Sequence, residues 1–110
     1  MGTFVKGEVV VFPFPFSDLS DSKRRPALVL AGLTGNDLIL CMITKSLRDS
    51  DSIPVSDADF SSGKLSQLSN IRANRLFTGD ANLIYYSAGQ LKPAKVTEVV
   101  DKLVDILTRP

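Results

Sequence analysis

The amino-acid sequence predicts a mainly β fold with one C-terminal helix, in the form of a small SH3-like barrel of strongly bent antiparallel strands. Two observations lead to this prediction. Five or six short apolar runs are separated by turn residues, and only the last stretch of the chain changes to a helical spacing. With 110 residues, 44% of them hydrophobic, residues 1–110 should form one domain around one core.

The first predicted strand is the β-branched run at residues 8–12, which ends at Pro13. Pro13 and Pro15 lack backbone donors, so residues 13–16 can be extended or lie at an edge but cannot form a central strand. The polar residues 17–24 are rich in turn formers and predict a surface loop.

Two apolar runs, residues 26–31 and 38–44, predict a hairpin through the turn residues 32–37. Both runs are apolar at nearly every position. This pattern predicts burial on both faces, against the barrel interior on one side and against a helix or a second subunit on the other. A polar loop at residues 45–52 and a short edge strand at residues 53–55 should follow.

A turn-rich link at residues 56–63 precedes a further strand, predicted at residues 69–78. Its loose alternation places Ile71 inward and both Arg72 and Arg75 outward.

The end of the chain changes period. Residues 83–86 predict a last short strand or turn, and Pro93 suits the first turn of a helix. Apolar side chains then recur at spacings of three and four, which predicts an amphipathic helix; they are Val96, Val99, Val100, Leu103, Val104 and Leu107. The face with Val96, Val100, Leu103 and Leu107 is expected to pack against the rest of the protein.

Composition excludes several classes of protein. Charged residues make up 23% of the chain and the formal net charge is +1, which fits neither a disordered segment nor a basic nucleic-acid coat. A nucleic-acid partner therefore requires positive charge concentrated on one face. The cationic residues that could form such a face are Lys23, Arg24, Arg25, Lys45, Arg48, Arg72 and Arg75.

Cys41, the single cysteine, lies inside an apolar run and is expected to fill the core. The chain has no histidine and no paired ligand spacing, so we expect no metal site and no cofactor. No signal peptide and no stretch of about 20 apolar residues is present, which predicts a cytoplasmic protein without a membrane segment.

Several sequence blocks together resemble the MazF/PemK-like toxins. A glycine-opened strand and a loop of polar residues lead to an Arg-Pro pair that begins the second strand, and these features lie at residues 6–19 and 23–30. Residues 40–46 resemble the family's strand that ends in a hydroxyl residue, and residues 69–78 resemble a later strand. Residues 89–91 and the helix extend the likeness over nearly the whole chain.

The resemblance implies a homodimeric, metal-independent endoribonuclease toxin that cleaves single-stranded RNA at short sequences and is held inactive by an antitoxin. The family's catalytic arginine falls on Arg25 and its catalytic hydroxyl residue on Thr44. Several relatives carry Lys-Pro where this chain has Gln67-Leu68, so the RNA sequence that is read is not predicted. The expected RNA-binding residues are Lys23, Arg24, Lys45, Ser46, Gln67, Ser69 and Arg72.

The chemistry of these residues fits that role. Without histidine for proton transfer, cleavage must depend on electrostatic stabilisation of the phosphorane. A guanidinium offers a fixed fork of donors to two phosphate oxygens, and Pro26 restricts Arg25 to extended backbone at the mouth of a strand. The predicted hairpin brings Thr44 into the same neighbourhood. The sequence identifies no general base.

Other interpretations of the same residues stand beside these. On position alone, Arg25 could be a solvated charge and Thr44 a strand-end residue that bonds its own backbone. The phenylalanines at 12, 14 and 16 are expected to fill a core or interface rather than to stack on bases. At the level of function, the alternative is a non-catalytic or gyrase-directed binding protein of the same fold, or an adaptor with no activity.

Overall fold

A computed structural model of the chain describes residues 4–15, 22–45 and 49–110, with the backbone alone at 14, 15, 22 and 23. Seven strands and one α-helix lie in these ranges. In chain order they are β1 (Glu8–Pro15), β2 (Ser22–Gly32), β3 (Asp37–Thr44), β4 (Ser52–Val55), β5 (Phe60–Gly63), β6 (Ser69–Asp80), β7 (Tyr86–Leu91) and α1 (Pro93–Thr108).

The strands of this described part form one antiparallel sheet in the order β4-β6-β3-β2-β1-β7-β5. Although β4 and β5 stand at opposite ends of that order, Val55 of β4 and Phe60 of β5 belong to the same buried cluster. The sheet must therefore curl round until its two ends approach each other. Register shifts in β1, β2 and β3 bend the strands in the way that such curling requires. The predicted fold class, mainly β with strongly bent antiparallel strands, is confirmed.

Two clusters of buried side chains occupy the two faces of the described sheet. Cluster 1 fills the inside of the curl and includes Val9, Leu28, Cys41, Ile71 and Val99. Cluster 2 lies on the other face and consists of Val10, Phe12, Ala27, Val29, Leu38 and Leu40. Successive residues of β2 and β3 enter the two clusters in turn, which confirms burial on both faces.

The predicted hairpin is the β2–β3 pair, in which Val29 lies opposite Leu40 and Ala27 opposite Met42. β2 begins at Ser22, so residues 22–24 belong to a strand and not to the predicted loop. They are held there because the ladder with β1 continues as far as the Pro15–Ser22 pair.

The prolines of β1 behave as predicted. β1 pairs with β2 from Val9 to Pro15, but its ladder with β7 runs only from Glu8 to Val11. Pro13 and Pro15 thus lie where β1 has lost its second neighbour, and their missing donors interrupt no described ladder.

The helix α1 begins at Pro93 as predicted. Val96 and Val99 are buried in cluster 1, with Val100 and Leu103 packed against it. Leu107, by contrast, is 72% exposed and Val104 is also exposed. The prediction that the apolar face packs along its whole length is therefore wrong for the last turn, which lies past the core that the sheet offers. No helix in the described ranges is both long and apolar enough to cross a lipid bilayer.

Candidate functional site

A cavity of about 580 Å³ opens on the cluster 1 side of the sheet, where β2 begins and β3 ends. Val11, Pro26 and Ile43 form its apolar floor. Its other described walls come from the start of β2, the residue after β3, the end of β5 with the segment that follows it, and the starts of β6 and β7. They are Arg24, Arg25, Lys45, Gly63, Lys64, Leu65, Ser66, Gln67, Ser69, Tyr86, Ser87 and Ala88.

The charge of this cavity is one-sided. Of the described residues that line it, Arg24, Arg25, Lys45 and Lys64 are cationic and none is acidic. A concave surface lined by one sign of charge raises the local concentration of ligands of the opposite sign. Positive charge that is nearly cancelled over the whole chain is thus concentrated at one place, as an anionic partner requires.

The two arginines of β2 owe their positions to local structure. Pro26 disfavours helical backbone at Arg25, and Arg25 lies opposite Phe12 in the β1–β2 ladder. The guanidinium carbon of Arg24 lies 4.2 Å from the centroid of the Tyr85 ring, within the range of a cation–π contact. Both cationic groups are therefore carried by a paired strand at the cavity wall.

Thr44 is the last residue of β3 and is 6% exposed. It pairs with Asn70 of β6. The β2–β3 ladder ends at the Ala27–Met42 pair, and its register, continued for two residues, brings Arg25 level with Thr44. No described pair of the ladder reaches Arg25 and Thr44, so the approach of these two residues stays a prediction. Thr44 itself is not among the residues that line the cavity.

Gln67 and Ser69 line the cavity at the start of β6. The preceding segment is held in place by Asp57, whose Oδ1 accepts hydrogen bonds from the backbone nitrogens of Leu65 (2.9 Å) and Ser66 (3.0 Å). Ser66 has a φ of +69°, which few residues other than glycine adopt, so these two bonds stabilise an unfavourable turn. The Ser69 hydroxyl donates to the Gln67 carbonyl at 3.3 Å.

Arg72 is not on an exposed strand face, and that prediction is wrong. It is 8% exposed, it does not line the cavity, and its Nη2 donates to Asp49 at 3.2 Å. The inward and outward alternation of a strand does not hold in this part of β6, because every residue from Ser69 to Ala73 is buried. Arg75 is exposed, as predicted. β6 is covered on both faces at this point, and the Asp49 carboxylate provides the partner that a buried guanidinium needs.

Asp49 connects the segment after β3 to β6. Its carboxylate accepts from Asn74 Nδ2 (2.9 Å), from the backbone nitrogen of Asp51 (2.9 Å) and from Arg72. These hydrogen bonds, that of Asn74 first, lower the pKa of Asp49 from 3.8 to about 2. Asp49 is thus a fixed anion outside the cavity, and it neutralises one of the predicted RNA-binding arginines.

The predicted binding residues therefore divide into three groups. Arg24, Arg25, Lys45, Gln67 and Ser69 meet at the cavity, whereas Arg72 lies apart from it. Ser46 and Arg48, and the side chains of Lys23 and Phe14, lie outside the described residues, as does Phe16.

Other lining residues were not singled out by the sequence analysis, among them Lys64, Leu65, Tyr86 and Ser87. They come from β7 and from the segment after β5, which no periodic signal marks. A pair of adjacent tyrosines before a glycine was the one visible cue.

A curled antiparallel sheet with a cationic cavity at its strand ends defines a small β protein able to bind an anionic ligand. The chain belongs to the PemK-like, MazF-like toxins of type II toxin–antitoxin systems, whose family model matches residues 5–107. No match was found among curated protein sequences.

Solved structures share the fold at low sequence identity. An endoribonuclease from a mycobacterial species has a TM-score of 0.73 and 17% identity, covering 100% of this chain and 96% of its own. A mycobacterial endoribonuclease in complex with its cognate antitoxin has a TM-score of 0.71 and 15% identity, covering 98% of each chain. The MazE–MazF complex of Deinococcus radiodurans has a TM-score of 0.71 and 18% identity, covering 100% of each chain.

Proposed function

We propose that this toxin-family protein is a metal-independent endoribonuclease that cleaves single-stranded RNA at specific sequences, by attack of a 2′-hydroxyl on the adjacent phosphate. The observation that carries the proposal is the cavity that Arg24, Arg25 and Lys45 line together, with no acidic side chain among the described lining residues. The names of the structural neighbours, which are endoribonucleases, support the same activity.

In this reaction the 2′-oxygen forms a bond to phosphorus, loses its proton, and the bond from phosphorus to the 5′-oxygen breaks. The products are a 2′,3′-cyclic phosphate and a 5′-hydroxyl that has gained a proton. Charge accumulates on the phosphate oxygens in the transition state, where the Arg25 guanidinium can donate to two of them. Thr44, which the β2–β3 register brings level with Arg25 when it is continued for two residues, would donate its hydroxyl to the same phosphate.

The remaining cavity residues supply substrate binding in this proposal. Arg24 and Lys45 contact further phosphates, which positions the strand without reading its sequence. Gln67 and Ser69 can present donors and acceptors to base edges. Lys23 and Ser46 are retained as predicted contacts, while Arg72 stabilises β6 through Asp49 and does not touch RNA.

The proposal includes three further features of a toxin of this family. An antitoxin protein binds the chain and blocks its activity, as the antitoxin-bound neighbours suggest. Two copies of the chain form a homodimer. The protein acts in the cytoplasm, where its RNA substrate is found.

Arg25→Ala should reduce cleavage of a mixed single-stranded RNA by roughly 100- to 1,000-fold, because a transition-state donor is lost. The assay is run in EDTA, and the products are examined for 2′,3′-cyclic phosphate ends. Arg75→Ala is the matched control, since Arg75 is exposed on β6 and does not line the cavity.

Full cleavage by Arg25→Ala would remove Arg25 from the mechanism. Loss of cleavage by the unmodified protein in EDTA would contradict a metal-independent reaction. If the unmodified protein yields no products in any buffer, the alternative of a non-catalytic or gyrase-directed binding protein replaces the proposal.

A further inference from the structure

The ring of Tyr86 forms an exposed aromatic surface at the edge of the cavity. Tyr86 is the first residue of β7 and lies opposite Val11 of β1, which in turn lies opposite Pro26 of β2. Directly opposed residues share a face of the sheet, so Tyr86 continues the row of the apolar cavity floor. It lines the cavity, yet 56% of it is exposed.

The neighbours of this ring are cationic. Arg24 and Arg25 immediately precede Pro26 and line the same cavity. Arg24 is held over the ring of Tyr85, whose backbone nitrogen donates to the Val11 carbonyl at 2.9 Å. An exposed aromatic ring beside guanidinium groups is the combination by which proteins bind single-stranded nucleic acid, since bases stack on the ring and phosphates bind the cations.

We propose that Tyr86 stacks on an unpaired base of the RNA while Arg24 and Arg25 contact phosphates of the same strand. This inference rests on the proposed function and adds to it a base-contacting residue that cleavage chemistry does not require. Stacking explains why a large ring is left exposed at the cavity instead of being buried in cluster 1 or cluster 2. Because every base has an aromatic face, Tyr86 contributes affinity and register rather than sequence choice.

Tyrosine fluorescence can test this contact directly. The chain has two tyrosines and no tryptophan, so Tyr85→Phe leaves Tyr86 as the only strong emitter and keeps a ring beneath Arg24. The probe is a mixed-sequence 2′-O-methyl RNA oligonucleotide, which lacks the attacking hydroxyl and is not cut. We expect it to quench Tyr86, and we expect an abasic oligonucleotide of the same length and charge not to.

The reciprocal variant, Tyr86→Phe, reports on Tyr85 alone and controls for light absorbed by the bases. Its emission should change less, because the Arg24 guanidinium already lies over a face of the Tyr85 ring and Tyr85 does not line the cavity, although 47% of it is exposed. Equal quenching of the two variants, or quenching of Tyr86 by the abasic strand, would overturn the proposal.

Affinity gives a second readout. Tyr86→Ala should weaken binding of the 2′-O-methyl oligonucleotide by roughly 5- to 150-fold, while Tyr86→Phe should bind as the parent does. Unchanged affinity of Tyr86→Ala would refute stacking even though the unmodified protein still cleaves RNA. Failure of the proposed ribonuclease itself would be seen separately, as intact RNA after incubation with the unmodified protein.

Discussion

Arg25 lies at the cavity wall for reasons that begin with its neighbour in the chain. Pro26 disfavours a helical backbone conformation at Arg25. Pairing with Phe12 in the β1–β2 ladder then holds Arg25 in an extended conformation. A side chain on a paired strand loses less freedom on binding a phosphate than one on an open loop does. This preorganisation is what electrostatic catalysis needs.

Arg72 and Arg75 show how two similar residues of one strand can differ in their surroundings. Arg75 is exposed, whereas Arg72 is buried and paired with Asp49. The partner stands 23 residues earlier in the chain, so strand periodicity alone could not reveal it.

Cys41 leads to a prediction at the same scale. Burial raises the pKa of its thiol from 9.0 to about 12. At pH 8 its thiolate fraction should therefore be about a thousandfold smaller in the folded chain than in the unfolded chain. Iodoacetamide, followed by mass spectrometry, should label the urea-unfolded protein and leave the native protein unlabelled.

The raised pKa of Cys41 also predicts how the free energy of unfolding depends on pH. The unfolded thiol ionises first, so the stability that the buried neutral thiol contributes is present below pH 9 and is lost as the pH rises toward 12.

Rapid labelling of the native protein at pH 8 would show that Cys41 is not buried as described.

Pairing between β5 and β7 positions the part of the cavity wall that these two strands and the segment after β5 form. Gly63 and Gly89 lie opposite each other in it, and the two backbones are in close contact. A Cβ on Gly63 would overlap the carbonyl oxygen of Ala88. Glycine is needed here to let the two strands pair at all, and that pairing holds the segment that carries Lys64 and Leu65.

Gly63→Ala should therefore lower the free energy of unfolding by more than about 2 kcal/mol, measured by urea denaturation. The matched control is Gly35→Ala. Gly35 has the same φ of +74°, but nothing lies within 4 Å of its added Cβ. The control should lose about 1–2 kcal/mol, from backbone strain alone. Equal losses in the two variants would contradict the close contact between β5 and β7.

The whole molecule has an asymmetry between its two faces. Helix α1 packs on cluster 1, through Val96 and Val99, and no part of it belongs to cluster 2. Five partly buried apolar side chains pack against cluster 2, and they are Phe4, Met42, Phe77, Ala81 and Ile84. Their exposed parts form the apolar surface that we expect a second copy of the chain to cover.

Sedimentation velocity at tens of micromolar should therefore show a species of twice the chain mass. Met42→Lys, which places a charge beside cluster 2, should shift the equilibrium toward monomer. Leu107→Lys is the control, because Leu107 is exposed on the last turn of α1, away from cluster 2. A monomeric unmodified protein, or an equal effect of both variants, would contradict the homodimer.

The fold could be predicted as far as local signals reach. Apolar runs identified β1 to β3, and helical spacing together with Pro93 identified the start of α1. β5 escaped prediction because Phe60–Gly63 has no alternating pattern of its own and is a strand only through pairing with β7. Residues 83–86, predicted as a short strand or turn, begin at the end of the 3-10 turn Ala81–Leu83, and the strand β7 runs beyond them through Tyr86–Leu91.

The sequence by itself determined the fold class, the place of the Arg-Pro pair at the start of β2, and a family resemblance that its match over residues 5–107 confirms. Those properties depend on neighbours in the chain and on the spacing of apolar residues. Tertiary structure alone decided which residues share the cavity, since it brings Lys64 and Tyr86 to Arg25 and places Arg72 in a buried pair with Asp49. Charges act through space, and the distances between them are set only when the sheet curls.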